Sequence, residues 1–345
     1  MLYICCVNNK FYIKMKKHLL MAYCAVAMLA GCQQADEIEE MGDKLPMFME
    51  ASIGKVNAIS RYSGDTPDAV KFKDNDKVGL SVNDGGFIQW MCVGGKWNPV
   101  DATVNWSDRD TPHEFIAFYP FVAGASKGSV PMPDLSVQDG TMDAVAACDF
   151  LVAAKTQSYE TNGTVSFTGD KAFGHVSSLV VITLKGEGEL ASATITGLSI
   201  SGDDILTLST YSFDATGSED DPKVIVSEES GKRKDLLELF LEHSMDSKNK
   251  TYYFVLNSGT VDLEDVTLSV KYKKTDDSEY VATLEGLGTT EVTSFESGKQ
   301  YSYSLKVAGG ALIVSGNEIA KWGEGLALDD IVINGKISGG SQNED

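Results

Sequence analysis

From residue 77 onward the chain is a succession of short apolar runs that alternate with polar neighbours, and this period of two most constrains what it can fold into. A first block reads KVGLSV (77–82), FIQWMCV (87–93), EFIAFYPF (114–121) and DFLVAA (149–154). A second reads SLVVITLKG (178–186), ASATITGLSI (191–200), ILTLSTYSF (205–213), KVIVS (223–227), TYYFVLN (251–257), VTLSVKYKK (266–274), EYVATLEGL (279–287) and QYSYSLKV (300–307). Successive strand side chains point to opposite faces, so such runs make half-buried sheets. Gly, Asp, Asn and Ser bound them as turns. Short strands at this spacing predict an all-β chain of antiparallel sandwiches rather than βαβ units. One run reads two ways. In KDLLELFLEHS (234–244), Leu236, Leu237, Phe240 and Leu241 fall near helical spacing, while Leu237, Leu239 and Leu241 alternate as in a strand.

The N-terminal stretch has a different character. Lys16 and Lys17 precede HLLMAYCAVAMLAG, an apolar run without a carboxylate, which is the pattern of an export signal and is short for a membrane-spanning helix. Met15 is the better start. The run ends Leu29-Ala30-Gly31-Cys32, which resembles the lipobox of bacterial lipoproteins. That resemblance implies cleavage before Cys32, diacylglycerol on its thiol and acylation of the new amino terminus. Several acyl chains anchor a protein stably where one does not. The expectation is a signal peptide over 1–31 and an acidic, solvated tether over 32–45, beginning QQADEIEE. Acidic residues just after the cysteine resemble the signal that sends Bacteroidetes lipoproteins to the outer face of the outer membrane.

Charge and cysteine usage narrow the partners. Four lysines and no acids precede Cys32, so the chain from there on carries 25 basic and 50 acidic residues, a net charge of −25. Such a field repels nucleic acid and anionic lipid, and nucleic acid is excluded as a partner. Only Cys92 and Cys148 remain after the anchor. Two buried free thiols are the favoured reading, with a disulfide left open because spacing says nothing of geometry.

The order of landmarks then points to a family. ISRYSG (59–64) precedes VKFKDNDKVGLSV, followed by a glycine turn, KWNPV, VNW and EFIAFYPF; later come AFGHVSSLVVITL and GKQYSYSLKV…EIAKWGEG. Across residues 46–335 this set resembles the fimbrillin-like lipoproteins of Bacteroidetes, with Phe72 standing where Trp is more usual. The resemblance implies two transthyretin-like sandwiches, expected over 46–170 and 171–338, with a disordered tail over 339–345. It implies a pilus subunit, tip or anchor acting in adhesion, lipid-anchored in the outer membrane and surface-exposed. Its partners would be other fimbrial subunits, joined by β-strand addition, and a host or bacterial surface ligand. It also implies cleavage after an arginine that frees an N-terminal strand. The matching residue is Arg61, and the strand is MFMEASIGKVNAI, with Phe48, Ala51, Ile53 and Val56 as its apolar face. Arg61 as an ordinary surface residue stays open. On the donor side, LALDDIVINGKIS (326–338) reads either as a donor strand or as the last strand of its own domain.

Nothing in the sequence calls for catalysis. His113, His175 and His243 lack zinc spacing, and H-E-x-x-H, G-x-S-x-G, Walker A and G-x-G-x-x-G patterns are missing. No catalytic residue, metal or cofactor is therefore expected. DNDKVG (74–79) lacks two ligands of a calcium loop and reads as a turn leading into a strand. Trp90 alternates with Ile88 and Cys92 and is expected in the core. Trp97 and Trp106 lie beside loops. If both rings were coplanar and solvent-facing, they would form a platform for glycan, the alternative function.

Overall fold

The computed structural model describes residues 45–54, 71–160, 162–218, 223–229, 234–259, 262–287, 292–321 and 336–338. The signal peptide, Cys32, the tether as far as residue 44, Val56, Arg61 and the tail after 338 lie outside the described residues. Strands of the first part are β1 (Leu45–Pro46), β2 (Phe48–Ala51), β3 (Lys77–Val82), β4 (Ile88–Val93), β5 (Lys96–Pro99) and β6 (Asn105–Trp106). They continue with β7 (His113–Tyr119), β8 (Val130–Pro131), β9 (Leu151–Gln157), β10 (Thr164–Phe167) and β11 (Gly174–His175). A short helix, α1 (Met142–Cys148), lies between β8 and β9; Thr141 caps it by accepting from the Ala144 amide. The second part holds β12 (Ser178–Leu184), β13 (Thr194–Ser201), β14 (Ser209–Tyr211), β15 (Val224–Val226), β16 (Leu236–Ser244) and β17 (Lys250–Leu256). It ends with β18 (Thr267–Lys273), β19 (Glu279–Glu285), β20 (Lys299–Ala308), β21 (Ala311–Lys321) and β22 (Lys336–Ser338).

Residues 45–47 and 104–108 form a small piece of their own, in which β1 pairs antiparallel with β6, Leu45 opposite Trp106. The main sheet of the first part has eight strands in the order β10-β2-β5-β4-β3-β7-β9-β11. Every pairing in it is antiparallel except β10 with β2. Val78, Leu80, Trp90, Cys92, Trp97 and Phe115 are buried, as alternation along β3, β4, β5 and β7 requires. Phe72 packs edge-on against Trp97, Tyr119 and Phe173 at 5.0, 5.6 and 5.2 Å, so this aromatic position is a packing anchor.

The second part is a sandwich of a four-stranded sheet, β17-β12-β20-β21, and a five-stranded one, β16-β13-β18-β19-β22. Inward residues of both, among them Val180, Ile182, Phe254, Tyr301, Ile195, Ile200, Leu268 and Tyr272, share one buried cluster. Leu135, Val145 and Cys148 join that cluster. A small sheet, β15-β14-β8, pairs Tyr211 with Val130, beside aromatic packing of Phe118, Phe150 and Tyr211. Residues 130–150 thus serve the second core as well as the first sheet.

The all-β reading holds. The run at 234–244 resolves as strand β16, because Leu237 and Leu239 are buried while Leu236 and Phe240 face outward, and β13 pairs with it along its length. Cys92 and Cys148 are free and buried. Burial pushes both thiols up, that of Cys148 to about 11, with neighbouring aspartates adding to the effect.

Candidate assembly site

The described part of the N-terminal segment is β2 and the residues that follow it. The burial register differs from the sequence expectation. Met47, Met49 and Ile53 are buried and Ala51 is half-buried, while Phe48 is 52% exposed. Odd-numbered positions face in, and Phe48 is corrected to the outer face, because the period of two sets it opposite in parity to Ala51 and Ile53 and gives the inner face to the methionines.

β2 lies inside the sheet, held unequally on its two sides. Toward β10 it runs parallel, with Phe48 to Ala51 opposite Thr164 to Phe167. The amides of Phe48, Ser52 and Gly54 donate to the carbonyls of Gly163, Phe167 and Phe173 at 3.0, 3.0 and 2.8 Å. The Phe173 amide returns a bond to the Ser52 carbonyl at 2.9 Å. Toward β5 the ladder has one position, Met49 opposite Trp97. Loss of β2 would therefore uncover backbone groups on both β10 and β5.

Two of the other sheet edges, at β10 and β17, are closed by side chains. At β10, Lys155 Nζ donates to the Ser166 carbonyl and Gln157 Nε2 to the Thr164 carbonyl, each at 2.8 Å. Burial lowers the Lys155 ammonium from its ordinary range, which Glu160 and Glu50 oppose. At β17, buried Gln138 imitates a neighbouring strand: its Oε1 accepts from the Val255 amide at 2.6 Å and its Nε2 donates to the Val255 carbonyl at 2.8 Å. The Tyr253 amide donates to the Gly140 carbonyl at 2.9 Å. Gly140 has φ +81°, and a Cβ there would lie 2.6 Å from Leu239 Cδ1, so both backbone and space require glycine. None of these caps was read from the sequence. Gln138 and Val255 are 117 positions apart, and no local signal joins them.

The remaining sequence candidates fall as follows. Trp97 is 6% exposed and Trp106 2%, so neither offers a ring face to a sugar and the glycan platform is set aside. Trp90 is fully buried. In DNDKVG, Asp76 accepts from the Lys73 amide and the Tyr119 hydroxyl, and Asn75 has φ +76°, the geometry of a turn. His113 bonds the Thr111 carbonyl, His175 pairs with Asp149 at 2.9 Å, and His243 meets the Tyr252 hydroxyl, three separate structural settings. No helix among the described residues is long and apolar enough to cross a membrane.

Comparison with known proteins agrees with this architecture. The profile of a family described as fimbrillin-like matches residues 62–322. A candidate cell adhesion protein from Bacteroides ovatus superposes with a TM-score of 0.57 at 15% identity, covering 84% of this chain and 100% of its own. Another from Bacteroides uniformis gives 0.55 at 15% identity, covering 81% and 99%. At such identity the likeness is one of fold. No curated protein matches the chain.

Proposed function

Because the chain belongs to the fimbrillin-like family, we propose that it is a surface-exposed, lipid-anchored fimbrial subunit that joins its neighbours by strand exchange at the β2 position. The observation that carries this reading is the placement of β2, an N-terminal strand seated between β10 and β5 and paired to β5 at a single position. Cleavage after Arg61 would sever the covalent link of both Cys32 and β2 to the rest of the chain, leaving β2 held by its sheet contacts alone. The subunit would leave its anchor as its sheet opened, with main-chain donors and acceptors ready for an incoming strand.

The sequence also supplies a matching strand. The inward series Met47, Met49, Ala51, Ile53 is apolar, apolar, small, apolar. Ile331, Ile333, Gly335 and Ile337 repeat that order at the same spacing of two. Its last residues, β22, pair with β19 of the same chain over Lys336–Ser338. Residues 326–335 lie outside the described residues. Adhesion to a host or bacterial surface follows from display in a fimbria.

Limited trypsin digestion, with mass spectrometry and native sizing, tests the reading. The expected result is a cut after Arg61 followed by a compact remainder that forms oligomers. A remainder that keeps β2 bound and stays monomeric would overturn it.

A further inference from the structure

Among the sheet edges, that of β16 differs from those at β10 and β17. It ends the five-stranded sheet and is nine residues long, regular against β13 over Leu236–Phe240 and bulged at Leu241–Glu242, with neither Pro nor Lys to discourage pairing over the regular part. Its outer face carries Leu236, 55% exposed, and Phe240, 84% exposed. Glu238 between them is neutralised by Lys271 Nζ at 2.5 Å. Across the sheet, the row of Phe240 continues through Gly197, Lys271 and Val281, and the row of Leu236 through Ser201, Thr267 and Glu285. The large exposed apolar groups thus sit on the edge strand, beside a mainly polar face. A partner laid flat on the sheet would meet serine, threonine and lysine, whereas one aligned along the edge would meet leucine and phenylalanine.

We propose that two copies of this chain associate through β16, antiparallel about a two-fold axis at Glu238. Strand parity selects the register. With Glu238 on the axis, Leu236 of one copy faces Phe240 of the other, and does so twice by symmetry. Leu237 then opposes Leu239. Sliding by one position in the centre, to Leu239, sets Leu236 against Glu242 and Phe240 against Glu238. Centring on Phe240 carries the pairing into the bulge at Leu241–Glu242. The chosen register has one flaw, the two Glu238 side chains facing each other, each already paired with its own Lys271. The surface is separate from β2, so the uncut chain would show it and strand exchange plays no part.

Sedimentation of the purified, uncut chain over a concentration series tests this. The expected result is a reversible monomer–dimer equilibrium. Phe240→Lys should weaken it at least about tenfold by removing two symmetric contacts. Glu238→Gln should strengthen it by relieving the repulsion on the axis. Ile225→Lys, which alters an exposed apolar residue on β15, should leave it unchanged, and circular dichroism should show all variants folded. A wild-type chain that stays monomeric, or a dimer indifferent to Phe240→Lys, would overturn the proposal.

Discussion

Met49→Ala is expected to loosen the N-terminal strand selectively. Met49 is 6% exposed and is the residue at which β2 meets β5. Truncating a buried methionine costs about 2–5 kcal/mol from lost burial and the cavity left behind. Because β2 is four residues long and is bonded mainly on one side, the loss should fall on local opening rather than on the whole fold. Amide exchange at Phe48, Ser52 and Gly54, which donate to Gly163, Phe167 and Phe173, should then speed by roughly two orders of magnitude for a cost of about 3 kcal/mol. Exchange at Leu284 in β19, a strand of a different sheet, should be unchanged. Equal acceleration at both places would show that β2 opens only with the rest of the protein.

Gln138→Ala is expected to have the larger global effect. The side chain bonds both main-chain groups of Val255, a fully buried residue, and also the Leu135 carbonyl at 2.6 Å. Removing it strands the Val255 amide and carbonyl, each costing about 1–3 kcal/mol. A total of about 3 kcal/mol corresponds to a Tm lower by roughly 6–12 °C in a domain of this size. Gln138→Glu keeps an acceptor for the Val255 amide but sets its second, buried carboxylate oxygen against the Val255 and Leu135 carbonyls, so it should melt no higher than Gln138→Ala. Differential scanning calorimetry measures both. Unchanged melting of Gln138→Ala would mean that Gln138 is dispensable at the β17 edge.

These residues mark what was legible in the sequence. The strands of both blocks were readable because each carries its own alternation, as in β7, β12 and β18. β16 was ambiguous because leucines in LLELFL satisfy a helix and a strand together; pairing with β13 resolved it. The inward register of β2 differs at Phe48, because Phe48, Ala51, Ile53 and Val56 do not share one parity and a strand face requires it. Trp97 and Trp106 looked loop-borne, but each lies in a short strand whose packing covers it. The caps at β10 and β17 were illegible. Gln138, Lys155 and Gln157 are ordinary polar residues until the fold brings a distant carbonyl or amide to them. The family resemblance read from the landmarks was carried by order rather than by any one motif, and the match over residues 62–322 bears it out.

The central claim is that the position of β2 can be taken by another strand, and one measurement addresses it directly. A synthetic peptide of residues 326–338 is titrated into the chain cut after Arg61 and into the intact chain, with binding read by calorimetry and stability by melting. The account predicts saturable binding to the cut chain alone, recovery of the melting temperature lost on cleavage, and no binding by the same peptide bearing Ile333→Asp. Equal binding to cut and intact chains, or none to either, would contradict it.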